Sequence, residues 1–441
     1  MIHLACFFGG VGQHQAAWRR TTSRAEEASA LPLHADLAAC AERGLFDALF
    51  VADGLYLDRL RMAREPMGLF EPITMLSAMA ARTNQIGLVG SVSTTFSEPY
   101  NVARQLAALD QLSAGRAGWN IVTSSGGAEN FGDAPLPSHR ERYRRAAEFV
   151  AAVVGLWDSW DDDAIVLDRA GGLYADPDRI HPIDFAGEYV SVAGPLNLPR
   201  SPQGRPVLAQ AGSSDDGRRF AAAHAELVFT AQQTAEGSLA FTRDVKARAS
   251  AVGRDPQQIK VLAGVCPFIG STEAEAHAAL AELGRLTDLE MGLAQLGQQL
   301  GGIEIASLEL DAPIPGELLP EVSAVQGRQS RYALFRQLAT EERWTLRQLV
   351  DMEVASTGHW LIVGTPEQVA GQLAERYLTG ACDGYVVMPP YLPESLALFV
   401  EHVVPLLQTR GLYRQEYAGA TLRDHLGLTR PASALKETTG G

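Results

Sequence analysis

Ser113-Ala-Gly-Arg-Ala-Gly-Trp-Asn-Ile-Val-Thr-Ser124 carries the chain out of a helix and into a strand. The helical pattern of residues 99–113 begins at Pro99 and is followed by Gly115, the usual Pro-in, Gly-out signature. Residues 118–123 then form a short buried-type run that gives way to Thr123 and Ser124. A helix feeding an apolar strand in this way is one unit of a parallel sheet. In a closed parallel barrel the polar end of such a strand faces the mouth where ligands bind, which makes Asn120, Thr123 and Ser124 candidate site residues.

The unit recurs along the chain. Candidate strands fall at 2–8, 48–52, 86–92, 118–123, 207–211, 227–231, 261–269 and 384–388, and helical patterns at 32–43, 70–82, 99–113, 138–157, 215–224, 235–252, 272–296 and 393–410. Eight strands with eight helices predict an α/β fold, a (β/α)8 TIM barrel, rather than an open doubly wound sheet. The 441 residues exceed the roughly 250 of a plain barrel. We read 1–441 as a single barrel domain with insertions at about 158–205 and 297–365. Neither insertion shows the alternation expected of a separate core, and long excursions from a compact fold tend to be functional covers. The polar tail at about 412–441 ends in Thr-Thr-Gly-Gly and is expected to fray or pack on a neighbour.

Composition narrows the class. Hydrophobic residues make up 46% and charged residues 20%, which suits a globular chain with a large core. A formal charge of -15 with no Lys/Arg cluster argues against nucleic acid as a partner. Cys6, Cys40, Cys266 and Cys382 lie far apart without a CxxC pair, so neither a metal site nor a disulfide framework is expected. The start lacks a basic leader and no window is long enough to span a bilayer, so the expected location is the cytoplasm.

Further strand ends carry polar groups. Gly44-Leu-Phe-Asp-Ala-Leu-Phe-Val-Ala-Asp53 ends in a carboxylate suited to accept from a heterocyclic N–H, and Ser93-Thr94-Thr95 closes another strand with hydroxyls. In Gln210-Ala-Gly-Ser213-Ser214-Asp-Asp, a strand runs into a helix whose free N–H groups and positive dipole end favour an anion such as phosphate. An ordinary Ser cap followed by first-turn acids explains those residues equally well. His139 and Tyr143 stand four apart on a helix and share one face, as either donors or a surface pair. Four polar strand ends on one rim point to a phosphate-bearing cofactor. Gly9-Gly10-Val11-Gly12 lacks the spacing of a dinucleotide fingerprint, which disfavours a Rossmann site.

The stretch Gly115–Ser124, with Asn130-Phe-Gly132, His139-Arg-Glu-Arg-Tyr143 and Gln210-Ala-Gly-Ser-Ser214, strongly resembles the bacterial-luciferase type of flavin monooxygenase. The similar branch includes nitrilotriacetate, dibenzothiophene-sulfone and long-chain alkane monooxygenases and pristinamycin synthase. The likeness continues through 46–53, 362–366 and 403–413 and so covers nearly the whole chain. It implies FMN, used as FMNH2 from a separate NAD(P)H:flavin reductase, with O2 forming a C4a-hydroperoxyflavin that oxygenates a small organic substrate. It maps flavin contacts to Asp53, Thr94, His139, Tyr143, Ser213 and Ser214, with Asn120 beside the ring system. His139 or His14 is the expected acid or base. Mixed charge at 164–174, read as part of a cover, points to a largely neutral substrate. Family barrels commonly pair, so a homodimer or homotetramer is expected. An F420-dependent oxidoreductase on the same fold and a non-catalytic flavin-binding protein are the competing readings.

Overall fold

The computed structural model describes residues 1–64, 66, 70–132, 135–325 and 329–433. Eight strands form the barrel: β1 His3–Phe7, β2 Ala48–Val51, β3 Gly87–Ser93, β4 Ala117–Val122, β5 Val207–Gln210, β6 Leu227–Thr230, β7 Lys260–Ile269 and β8 Gly384–Val387. Each pairs in parallel with the next, and β8 pairs with β1 to close the ring. Every predicted strand is present within a residue or two of its expected ends. The strands read as continuous apolar runs because both faces are buried. Ala48 and Phe50 of β2 join the cluster inside the barrel, while Leu49 and Val51 join the layer between strands and helices.

The quoted block is built mainly for stability at its start. Arg116, 4% exposed, donates to Ser113 O, Thr83 Oγ1 and Ile86 O at 2.8–2.9 Å, tying helix ends together beneath β4. Trp119 is fully buried among Phe149 and Trp157 and donates Nε1–H to Val92 O. Its neighbour Asn120 turns the opposite way, as strand alternation requires.

The tail differs from expectation. Residues 412–433 seal the base of the barrel, and residues 434–441, with the terminal Thr-Thr-Gly-Gly, lie outside the described residues. Leu422 and Leu426 of the short helix Leu422–Leu426 pack inside the strands with Val89, Val207 and Leu262. A side chain on Gly87 would stand 2.5 Å from Leu422 Cδ1, so glycine leaves the space that the plug fills. Arg423 holds Glu226 with two bonds of 2.6 and 3.0 Å, and Arg414 donates to Asp47, which also accepts from Leu4 N and lies 3.2 Å from His3 Nδ1. Burial works to raise Asp47, but His3 and Arg414 outweigh it and hold its carboxyl below the usual range. Apolar spacing is the reason the plug forms. The polar composition of the tail hid the leucines at 422, 426 and 428.

The two excursions also separate. The segment 158–205 leaves the C-terminal end of helix His139–Trp157 and returns to the start of β5, so both its ends lie at the base. It forms two small hairpins, Ile165–Asp168 with Leu173–Ala175 and Phe185–Ala186 with Ser191–Val192, and binds the start of β4 through Gln203 Nε2, 2.8 Å from Ala117 O. Its second hairpin follows the outside of helix His139–Trp157, where Glu148 accepts from Tyr189 N at 2.7 Å and Arg144 donates to Glu188. Residues 165–174 are largely exposed and bond to no rim residue among the described residues, so they give no sign of the substrate's charge.

The excursion after β7 does begin at the mouth. The pattern at 272–296 is two helices, Glu273–Leu286 and Leu289–Gln299, capped at the break by Asp288. With Gln329–Thr340 and Leu346–Ser356 the excursion builds a hydrophobic cluster of its own, including Leu296, Tyr332, Phe335 and Leu349, contrary to the expectation that 297–365 has no core. It returns through a strand not foreseen, Trp360–Gly364, paired with the far half of β7, and then the helix Pro366–Leu378. Gln13, on the loop after β1, donates to Thr357 Oγ1 at 3.0 Å, and Gln233, after β6, donates to Gly358 O at 2.7 Å. These bonds pin the excursion across part of the rim.

Candidate active site

The C-terminal strand ends place the predicted residues in order around the rim: Asp53 after β2, Thr94 after β3, Asn120 within β4, and Ser213 and Ser214 after β5. His139 and Tyr143 come from the first turns of helix His139–Trp157, whose start is capped by Ser138. That start meets the start of helix Asp215–His224. His139 Nδ1 lies 3.2 Å from Asp216 Oδ2, and the His139 and Tyr143 rings are 5.0 Å apart.

Donors gather at this junction. The Tyr143 hydroxyl faces Thr123 and Ser214, and a Cβ on either Gly212 or Gly217 would stand 3.0 Å from it. Glycine at both positions lets the phenol sit against the backbone of the turn. Burial pushes Tyr143 above its ordinary value, so it stays protonated and able to donate, although Thr123 and Ser214 oppose the shift. Ser214 does cap the helix, its Oγ accepting from Gly217 N at 3.1 Å, and it keeps its own proton to donate. Ser213 Oγ lies 3.0 Å from Thr230 Oγ1, which accepts from Gln232 Nε2 at 3.0 Å. With Gln232 donating to it, Thr230 is suited to direct its proton to Ser213 and turn the serine proton outward. Thr230 was missed because it sits at the end of β6 with no motif around it.

The first-turn acids do not spoil the site for an anion. Asp215 pairs with Arg219 at 3.0 Å and Arg248 at 2.9 Å, and Asp216 with Arg219 and His139. Burial tends to raise Asp216, but Arg219 and His139 hold it low and ionised. Hydroxyls, a helix start and two side-chain-free glycines therefore fit a phosphate group.

On the β3–β4 side the groups are buried. Ser91 Oγ donates to Val51 O at 2.8 Å, which spends its single proton, so the Asn120 atom 2.8 Å from Ser91 Oγ is the amide N–H. Asn120 Oδ1 is left buried without a partner. Thr94 is fully buried, with its hydroxyl on Val122 O at 3.2 Å, and offers the site backbone rather than a free hydroxyl. Asp53 is exposed and accepts from Gly54 N at 2.8 Å. Although the residue reaches the surface, crowding by neighbouring groups, with Glu71 adding and Gly54 N–H opposing, pushes its carboxyl above the ordinary range.

A model of luciferase-like monooxygenases matches residues 9–382. The chain is 44% identical over 434 residues to N-acetyl-S-(2-succino)cysteine monooxygenase of Bacillus subtilis (strain 168), covering 98% of both chains. The chain belongs to the luciferase-like monooxygenase family. It is 43% identical to nitrilotriacetate monooxygenase component A of Aminobacter aminovorans, again over 98% of each. A crystal structure of riboflavin lyase with modified FMN and riboflavin superposes with TM-score 0.87 at 30% identity, covering 98% of this chain and 97% of that one.

In this monooxygenase His14 stands apart from the cradle, since β1 and β5 lie opposite one another in the ring. It is 3% exposed, edge-on to Phe268, with Nδ1 accepting from Ala16 N at 3.1 Å. Burial lowers its pKa to about 4, so it is neutral at pH 7. The floor between these two sides is aromatic: Phe7, Phe50 and Phe229 lie 5.4–6.5 Å apart, and the His359 ring stacks on Phe229 at 5.1 Å.

Proposed function

We propose that the chain is the oxygenating half of a two-component system. It takes FMNH2 from a separate NAD(P)H:flavin reductase and uses O2 to place one oxygen atom in a small organic substrate. The observation that carries this reading is the convergence of Tyr143, Ser213 and the start of helix Asp215–His224 beside polar strand ends of a monooxygenase barrel. A relative named as a component A supports the two-component arrangement.

Ser213, Ser214, Tyr143 and His139 would hold the phosphate, and Asp53, Thr94 and Asn120 the ring system. Reduced flavin supplies the electron pair with which O2 is split between product and water. The protein's part is placement, exclusion of water and proton handling. His139, with Nδ1–H committed to Asp216, has Nε2 left to take or give a proton. His14, held neutral, serves as a base or hydrogen-bonding group rather than a cation.

The floor of the mouth is aromatic, Arg331 stands beside it with Nη2 2.9 Å from His359 Nε2, and Arg20, Arg24 and Arg64 are engaged by Glu282, Glu27 and Asp288. No helix among the described residues is long and apolar enough to cross a membrane, and a cytoplasmic homodimer or homotetramer fits this reading. The test supplies a generic flavin reductase, NAD(P)H, FMN and 18O2 to a panel of sulfides, sulfones, ketones and alkanes. A product gaining one 18O atom only with FMN is expected. Turnover that ignores O2 would remove the proposal.

A further inference from the structure

Gln210, the last residue of β5, has no role in the account above. It is 3% exposed, yet its amide makes no hydrogen bond to any described residue, and Oε1 is completely shielded. A buried amide in this state costs free energy in the ligand-free protein and marks a place where water or a ligand belongs. Its position is specific. A Cβ on Gly212 would stand 2.2 Å from Gln210 Nε2 and 3.0 Å from the Tyr143 hydroxyl, so both groups converge on Gly212 from within the turn. Any side chain at 212 would drive the amide out. Lacking a protein partner, the amide is free to turn either end toward a ligand, and a phosphate dianion selects its N–H end.

We propose that Gln210 is a cofactor-contacting residue that donates to a phosphate monoester at the start of helix Asp215–His224. The proposal rests on the reading of that turn as the flavin phosphate site. It explains why a residue type that normally seeks a partner is buried without one: the group is held in reserve for the ligand, at the expense of ligand-free stability.

The experiment compares the wild type with Gln210→Leu, Gln210→Met and Gln210→Glu. Titrations with FMN, riboflavin and inorganic phosphate are combined with melting of the ligand-free protein. The wild type is expected to bind FMN at least ~10-fold tighter than riboflavin, a difference of about 1.4 kcal/mol. Gln210→Leu and Gln210→Met should weaken FMN by at least ~10-fold, in keeping with one hydrogen bond to a charged group, and leave riboflavin unchanged. Their ligand-free melting temperatures should rise. Gln210→Glu, which sets a carboxylate against the phosphate, should lose more. Inorganic phosphate should compete with FMN in the wild type and lose that effect in the variants, which separates the phosphate group from the rest of the flavin. A fall in melting temperature with unchanged FMN affinity, in either apolar variant, overturns the proposal and makes Gln210 structural. Equal wild-type affinity for FMN and riboflavin instead overturns the phosphate reading of the turn itself.

Discussion

The base of the barrel is plugged and its charges are paired, whereas the mouth is open and rich in donors. At the base, Glu226 is matched by Arg423, Asp47 by Arg414 and His3, and leucines from the C-terminal helix fill the opening. At the mouth, Asn120 Oδ1 and Gln210 Oε1 are buried without partners, and the Gly212–Ser214 turn gathers more donors than its own capping consumes. The base has unpartnered buried atoms of its own, among them Gln203 Oε1, Arg414 Nη1 and both His425 ring nitrogens, but its charges are paired and its opening is filled. What sets the mouth apart is the gathering of donors around a helix start, on the C-terminal face where barrel chemistry sits.

Breaking the base should give the largest effect. Arg423→Ala leaves Glu226 buried with its charge uncompensated and is expected to cost about 3–5 kcal/mol in urea unfolding. The protein that remains folded should bind FMN as before. Loss of FMN affinity on top of the lost stability would mean that the two ends are not independent.

Acid should weaken the fold next. His14, His224 and His425 are each lowered to about 4, chiefly by burial. They are neutral in the folded state, whereas the unfolded chain takes up protons below about 6.5. Stability is therefore lost as pH falls from about 6.5 to about 4, by up to roughly 3 kcal/mol for each histidine before screening. Asp110, pushed up to about 6 by burial, works the other way, because the fold keeps its proton and gains as pH falls from about 6 to 3.8. Urea midpoints at pH 7, 5.5 and 4 should fall in that order. A flat series would contradict the burial of these rings.

Two smaller effects probe the mouth. Replacing Ser213 and Ser214 together by Ala should weaken FMN by ~1–3 kcal/mol if their hydroxyls meet phosphate. Part of the stability change in that variant belongs to the lost Ser214 cap, about 1 kcal/mol, so the affinity is the quantity to read. Tyr143→Phe should fold normally and lose about 0.5–1.5 kcal/mol of FMN affinity. A wild-type value for it would assign Tyr143 to packing against Phe220.

The barrel was legible because its strands are short apolar runs at regular spacing, and all eight fell where that spacing put them. The cradle was partly legible, since a strand running into Gly-Ser-Ser and a helix is a local pattern. What escaped depends on contacts distant in sequence. Thr230 matters only through Ser213, 17 positions away. Gln210 is distinctive only because nothing partners it, and an absence leaves no mark on a sequence. The excursions were found, but which end of the barrel each serves follows from where its helix or strand ends in space. For 158–205 the two ends lie at the base and the second hairpin follows helix His139–Trp157 as far as Arg144.

Flavin phosphate is proposed to dock at the open end, on the β5 rim. Hydrogen exchange with and without FMN tests it most directly. Slowed exchange at 212–217 and 139–143, with no change at 412–428, is the predicted result. Protection by FMN anywhere else on the molecule, with 212–217 left unprotected, would contradict it.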